Sequence, residues 1–310
     1  MRSFIYYFMN SNDFMNNHDK LQRFLFENAF VRGEIIHLKD TYQQIINQHD
    51  YPPIIKNLLG QALVLVALLT AIMKFKGRLT LQFQGKSGVK LLLVQSSQDF
   101  QLRALAQWEG ELNEADLLAE MRKGILVIMM DPDTSTKRYQ GVVSWKGDSL
   151  AESIEGYFKD SEQLLTRIWI AVDDKLAAGL LLQALPREGK ESAVVGDDEW
   201  NHLTILTDTL KPHELLHLET ETLLRRLYVE EDIQIYAPND VMFKCTCTPE
   251  RGENAILLLG LQEAEEELRL KQVIVVKCDF CGKEYIFDKV DVATIFRRGG
   301  NPAAGSTKIH

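Results

Sequence analysis

Cysteine is scarce in this chain: there are four in 310 residues, and none before Cys245. They fall in two close pairs, Cys245 and Cys247 in FKCTCTPE, then Cys278 and Cys281 in VKCDFCGKE. A disulfide framework spread over the whole fold is thereby excluded. Positive charge is also short, with 35 Lys and Arg against 44 Asp and Glu, a net −9. A nucleic-acid surface needs a basic stripe to neutralise phosphates, so no nucleic-acid partner is expected, and a zinc-ribbon adaptor of that kind is disfavoured. No G-x-x-x-x-G-K-[ST] loop is present to cradle nucleotide phosphates.

Long apolar runs are nearly absent as well. The exception is LLGQALVLVALLTAIM, Leu58 to Met73, bounded by Lys56 and Lys74 and interrupted by Gln61. It is shorter than the roughly 20 apolar residues of a span, so a buried core helix is expected, and no membrane. The opening MRSFIYYFMN turns polar without a small-residue cleavage site, unlike a secretory signal, which implies a cytoplasmic protein. Met9 and Met15 are alternative starts, and residues 1–18 are expected to be a disordered extension. In a reducing cytosol, clustered thiols suit a metal site or a redox device better than structural disulfides.

At 45% hydrophobic residues the chain can bury at least one core, and its length suggests two or three units. Residues 19–190 read as an α+β core domain of mixed sheet and helix. The stretch around Arg32 and Gly33 is helix-like or extended. DTYQQIINQHD is a helix capped by Asp40 or Thr41, and the apolar helix follows over 54–75. Glycine-bounded strands come next: in LTLQFQ, Leu79, Leu81 and Phe83 alternate with polar neighbours. GILVIMMDPD and RYQGVVSWKG form another strand pair, SLAESIEGYFKDSEQL an amphipathic helix, and TRIWIAVDD and AAGLLLQALP closing strands. Helices interspersed with hairpins fit α+β better than a doubly wound parallel sheet.

Composition shifts at Pro186. Residues 187–240 carry 13 acidic and 5 basic side chains, a net −8. The pattern is helical, so 191–240 reads as an acidic helical linker that must pack on something else to be stable. Residues 241–296 form a small cysteine-bearing α+β module. In it Thr248 caps a helix opened by Pro249, QVIVVKC and CGKEYIFD are strands, and KVDVATIF is a closing helix. Residues 297–310 are a Gly/Pro/Ser-rich tail expected to be disordered.

C-x-C, thirty residues, then C-x-x-C offers four thiolates from two loops. Zn²⁺ prefers four ligands in a tetrahedron, and Gly282 allows a sharp turn that points amides at sulfur. Three readings stay open at this point: four unrelated buried cysteines, a static structural zinc site, or a redox switch in which a close pair oxidises and the metal leaves. A module of this size has a small core. Structural zinc contributes on the order of 10 kcal/mol to such folds, so metal loss is expected to unfold it. An enzyme alternative is a zinc-dependent thiol-disulfide oxidoreductase using Cys278 and Cys281. Such pairs usually open a helix, whereas this one lies between strands and precedes Gly282.

HELLH, from His213 to His217, matches the H-E-x-x-H of zinc proteases, with Glu214 as the candidate base. A third ligand is required, and Glu230 and Glu231 lie in a different local setting. The plainer reading is an amphipathic helix that packs Leu215, Leu216 and Leu218 inward.

The sequence resembles the heat shock protein 33 family from about Leu21 to Ile295. The segments that carry the likeness are RFLFENAFVRGE, QQIINQHDYPPIIKNLLG, LLTAIMKFKGRLTLQFQG, RYQGVVSWKGDSLAESIEGYFKDSEQLLTRIWI, LLRRLYVEEDIQIY, FKCTC and CDFCGKEYIF. The resemblance implies a redox-regulated, ATP-independent holdase chaperone rather than an enzyme. It implies one zinc per chain on Cys245, Cys247, Cys278 and Cys281 in an inactive reduced form. Oxidation to Cys245–Cys247 and Cys278–Cys281 disulfides would release the zinc and unfold module and linker. The active form would tend to dimerise and hold unfolding client proteins. HELLH and the first 20 residues depart from the family pattern, and neither touches the cysteines.

Overall fold

The computed structural model describes residues 18–73, 75–133, 138–186 and 197–299. The expected N-terminal extension, apart from His18, and residues 300–310 of the expected tail lie outside these residues. The described residues up to Lys244 form one unit, and those from Cys245 form a second.

In the first unit the chain runs β1 (Lys20–Phe26), β2 (Val31–Leu38), α1 (Asp40–Ile46), α2 (Pro53–Ile72), β3 (Gly77–Gln84), β4 (Val89–Ser97), β5 (Gln101–Trp108), α3 (Glu114–Met121), β6 (Ile125–Pro132), β7 (Tyr139–Val143) and α4 (Leu150–Tyr157). It continues through β8 (Thr166–Val172), β9 (Ala177–Ala184), α5 (Asp197–Asp208), α6 (Pro212–His217), α7 (Thr220–Leu227), β10 (Ile233–Ile235), β11 (Asn239–Asp240) and β12 (Met242–Phe243). The stretch read as helix-like or extended around Arg32 is thus an antiparallel strand pair, β1 with β2. The first sheet has the order β10-β1-β2-β9-β8, with β11 also on β1. The second has the order β12-β5-β4-β3-β6-β7, antiparallel except for β12 on β5.

The helix α2 explains why two sheets form one unit. It is long and apolar enough to cross a membrane by length and composition. Here it packs against strands of both sheets, and most of its residues are buried. A helix that is apolar all round needs such a site. Gly179 on β9 lets the helix come close: a Cβ there would stand 2.3 Å from Val64 Cγ1.

The last carbonyls of α2 have no basic residue in their own turn. Arg23 Nη2 donates to Ala71 O at 2.7 Å, and Arg32 Nη2 donates to Ile72 O at 2.9 Å. Between these arginines lies Glu34, fully buried, accepting from Arg23 Nε at 2.6 Å. Burial pushes its carboxyl up, against the pull of Arg23 and Arg32. At the other end, α1 is not capped by Asp40 or Thr41. The carboxylate of Asp19 accepts from the amides of Lys39, Asp40 and Thr41 at 3.2, 2.9 and 3.0 Å. Three donors left unpaired at a helix start are satisfied by one side chain from the residue just before β1.

Strand alternation divides the first sheet cleanly. Leu21, Ile36, Leu38, Ala177 and Leu181 join the core around α2. Phe24, Phe26, Ile35, Leu180 and Leu182 face the other way, onto Trp200, Leu203, Leu215, Leu216, Leu223, Leu224 and Tyr228 of the acidic segment. That segment therefore packs its apolar helix faces on the sheet, as its composition demanded. The Tyr228 hydroxyl is satisfied by Thr207 Oγ1 at 2.6 Å. The segment is not helical throughout: β10 and β11 pair antiparallel with β1. Val241 to Lys244 also belong with the first unit, because β12 pairs with β5.

The second unit holds α8 (Pro249–Leu259), α9 (Leu261–Lys271), β13 (Ile274–Lys277), β14 (Glu284–Phe287) and α10 (Lys289–Gly299). The closing helix runs on into the first three residues of the expected tail. The buried core of this unit is small: Ile256, Ala264, Ile274, Phe287, Val292 and Ile295.

Candidate metal centre

Cys245 and Cys247 occupy the extended stretch that leads to Thr248 and the start of α8. Cys278 ends the β13 side of the hairpin, and Cys281 sits in the turn before β14. The turn is closed by Cys278 N–H to Lys283 O at 2.9 Å and by Gly282 N–H to Cys278 O at 2.8 Å. Gly282 has φ 65°, a left-handed conformation that glycine adopts without strain.

The four sulfurs lie within 4.8 Å of one another, and none is in a disulfide. Cys245 Sγ is 3.6 Å from Cys278 Sγ, and Cys247 Sγ is 3.4 Å from Cys281 Sγ. A tetrahedron with metal–sulfur bonds near 2.3 Å has edges of about 3.8 Å. The set of four half-buried thiols, with these spacings and with no carboxylate in the cluster among the described residues, fits a closed zinc site. Both of these sulfur contacts run between the two loops.

Donors aimed at sulfur complete the arrangement. The amide of Cys247 bonds Cys245 Sγ, and the amide of Lys283 bonds Cys281 Sγ. The Tyr285 hydroxyl donates to Cys247 Sγ at 3.2 Å. Burial pushes the Cys245 and Cys281 thiols up. Burial acts in the same direction on Cys247, but the Tyr285 hydroxyl and the neighbouring thiols pull it down to about 7. Donating that bond pushes the Tyr285 hydroxyl up to about 12.

The structure places HELLH in α6, with Pro212 at its start and Leu215 and Leu216 buried, as the plainer reading held. The rings of His213 and His217 are 4.6 Å apart, and His217 Nε2 is 3.9 Å from Asp173 Oδ2. Glu214 is engaged elsewhere, with Arg226 Nη2 at 2.8 Å and the Lys211 amide at 3.2 Å. Glu231 bonds His202 Nε2 at 3.0 Å. Among the described residues, only the four cysteines bring three or more potential ligands together. Cys278 and Cys281 occupy a hairpin turn and not a helix N-terminus, so the feature that activates thiols in oxidoreductases is missing there. Sequence reasoning missed Tyr285. The signal available was its place on the inward face of an alternating strand, four residues after Cys281.

An α+β core joined to a small module with four convergent thiols defines a narrow class of proteins. The family model described as Hsp33 protein matches residues 19–288, and the chain belongs to that family. The "33 kDa chaperonin" of Azotobacter vinelandii is 41% identical over 297 residues, covering 95% of this chain and 100% of the relative. That of Shewanella sp. strain MR-4 is 42% identical over 282 residues, covering 91% and 96%. The crystal structure of the 33 kDa chaperonin from Thermotoga maritima has a TM-score of 0.76 at 22% identity, covering 92% of this chain and 100% of that one. At that identity the likeness speaks for the fold.

Proposed function

We propose that this protein is a redox-regulated, ATP-independent holdase chaperone of the cytoplasm, held inactive while Cys245, Cys247, Cys278 and Cys281 bind one zinc. The observation that carries the reading is the set of four unbonded, convergent sulfurs in a module whose described residues bury a core of six. Bound zinc would supply the cross-linking energy that so small a core lacks. The names of the relatives support a chaperone rather than an enzyme.

The chain's own residues perform the switch. An oxidant such as hypochlorous acid takes two electrons from each thiolate pair: two thiolates, one HOCl and one proton give a disulfide, chloride and water. Pairing Cys245 with Cys247, and Cys278 with Cys281, removes the four thiolates that hold the ion. The module then loses its fold, and the acidic segment, 191–240, loosens from the core domain, 19–190. The surface that this would uncover comprises Phe24, Phe26, Ile35 and Leu182 on the sheet, and Trp200, Leu216 and Leu224, which pack with them in the folded protein. Exposed apolar area of this kind binds unfolding client proteins and favours a homodimer.

The test measures metal and surface together. Protein purified under reducing conditions is expected to carry one zinc per chain, and to release it on oxidation with a rise in the fluorescence of an apolar-surface dye. Protein without zinc, or an oxidised form with no dye response, refutes the reading.

A further inference from the structure

Tyr285 reaches the sulfur cluster with its hydroxyl. It stands on β14 opposite Val276, and its ring packs at the edge of the module core. Its oxygen is 3.2 Å from Cys247 Sγ. The ammonium of Lys283 lies 5.1 Å from the centre of its ring. A cation over a phenol withdraws charge from it and makes its hydroxyl a better donor. The Cys247 and Lys283 amides also donate to the cluster, and any sequence at those positions would supply them. The Tyr285 bond depends on one oxygen atom of one side chain.

We propose that Tyr285 is a positioning residue of the metal centre: its hydroxyl fixes the Cys247 sulfur in its ligating orientation and withdraws charge from it, which tightens metal retention. This rests on reading the four cysteines as a zinc site. Hydrogen-bond partners of metal ligands typically change affinity by about 10–100-fold when removed. The bond spans the two loops, from the hairpin to the C-x-C stretch, so it also holds the second loop to the first.

The test is Tyr285→Phe in the full-length reduced protein, which keeps the ring and deletes the oxygen. Zinc affinity, read by competition with a chelator, is expected to fall about 10-fold. In the cobalt(II)-loaded protein the sulfur-to-metal charge-transfer band should move to lower energy, because a sulfur without its donor gives up charge more readily. A role confined to packing would leave that band in place. Equal affinity and an unmoved band overturn the proposal, and so does lowered affinity with an unmoved band. If the variant fails to fold, replacing tyrosine by 3-fluorotyrosine, a stronger donor, should move the band to higher energy; no movement overturns the proposal. Wild-type protein that takes up no metal overturns the zinc reading itself, a distinct outcome.

Discussion

Acidification should loosen the acidic segment through one side chain, His37. It lies on β2, 5% exposed, with Nε2 2.9 Å from the carbonyl oxygen of Leu215 in α6. A carbonyl only accepts, so Nε2 carries the proton of a neutral ring. Burial drives the pKa down to about 4; the Leu215 bond opposes this, and His18 adds to it. A ring freed by undocking of α6 returns to about 6.5. Between these values the undocked state binds more protons, so docking weakens as pH falls from about 6.5 and the loss is complete below about 4. The full span of about 2.5 units corresponds to about 3.4 kcal/mol, and the change between pH 7 and pH 5 to about 2 kcal/mol. Amide exchange of Leu215 and Leu216, corrected for intrinsic rates, should therefore show opening about 20-fold more frequent at pH 5. His37→Gln keeps a donor for Leu215 but does not titrate, so wild-type opening should rise about 20-fold more than that of His37→Gln over this range. Wild-type protein with the same pH response as His37→Gln would refute the reasoning.

Three further outcomes are expected. Leu65→Ala near the centre of α2 should cost about 2–5 kcal/mol, seen as a lower thermal midpoint, because the side chain is fully buried in a helix that packs on both sheets. Arg23→Ala strands the buried Glu34 charge and should destabilise by about 3 kcal/mol in denaturant titration, and adding Glu34→Gln should recover much of it. Cys278→Ser should lower the zinc content of reduced protein and abolish reversible switching; a variant that retains tight zinc binding would refute the ligand assignment.

Much of this architecture was legible in local patterns. Leu79, Leu81 and Phe83 alternate in the sequence and are all buried in β3. The apolar helix announced itself by composition, and the cysteine spacing announced two loops that meet. What stayed hidden depends on residues far apart in the chain. Asp19 caps a helix that begins some twenty residues later, and no local rule would choose it over Asp40. Arg23 and Arg32 cap α2 from the sheet because the helix ends without a basic residue of its own. Strand β10 is three residues long within an acidic run, too short to show a period of two. Tyr285 reaches Cys247 only through the hairpin register that sets Lys277 opposite Glu284.

The central claim is that the four sulfurs decide whether this protein holds unfolding chains. The most direct measurement follows light scattering of an aggregating client, without ATP, beside reduced, oxidised and re-reduced protein at equal concentration. The account predicts suppression by the oxidised form and its loss on re-reduction with zinc present. Equal suppression by all three forms, or by none, would contradict it.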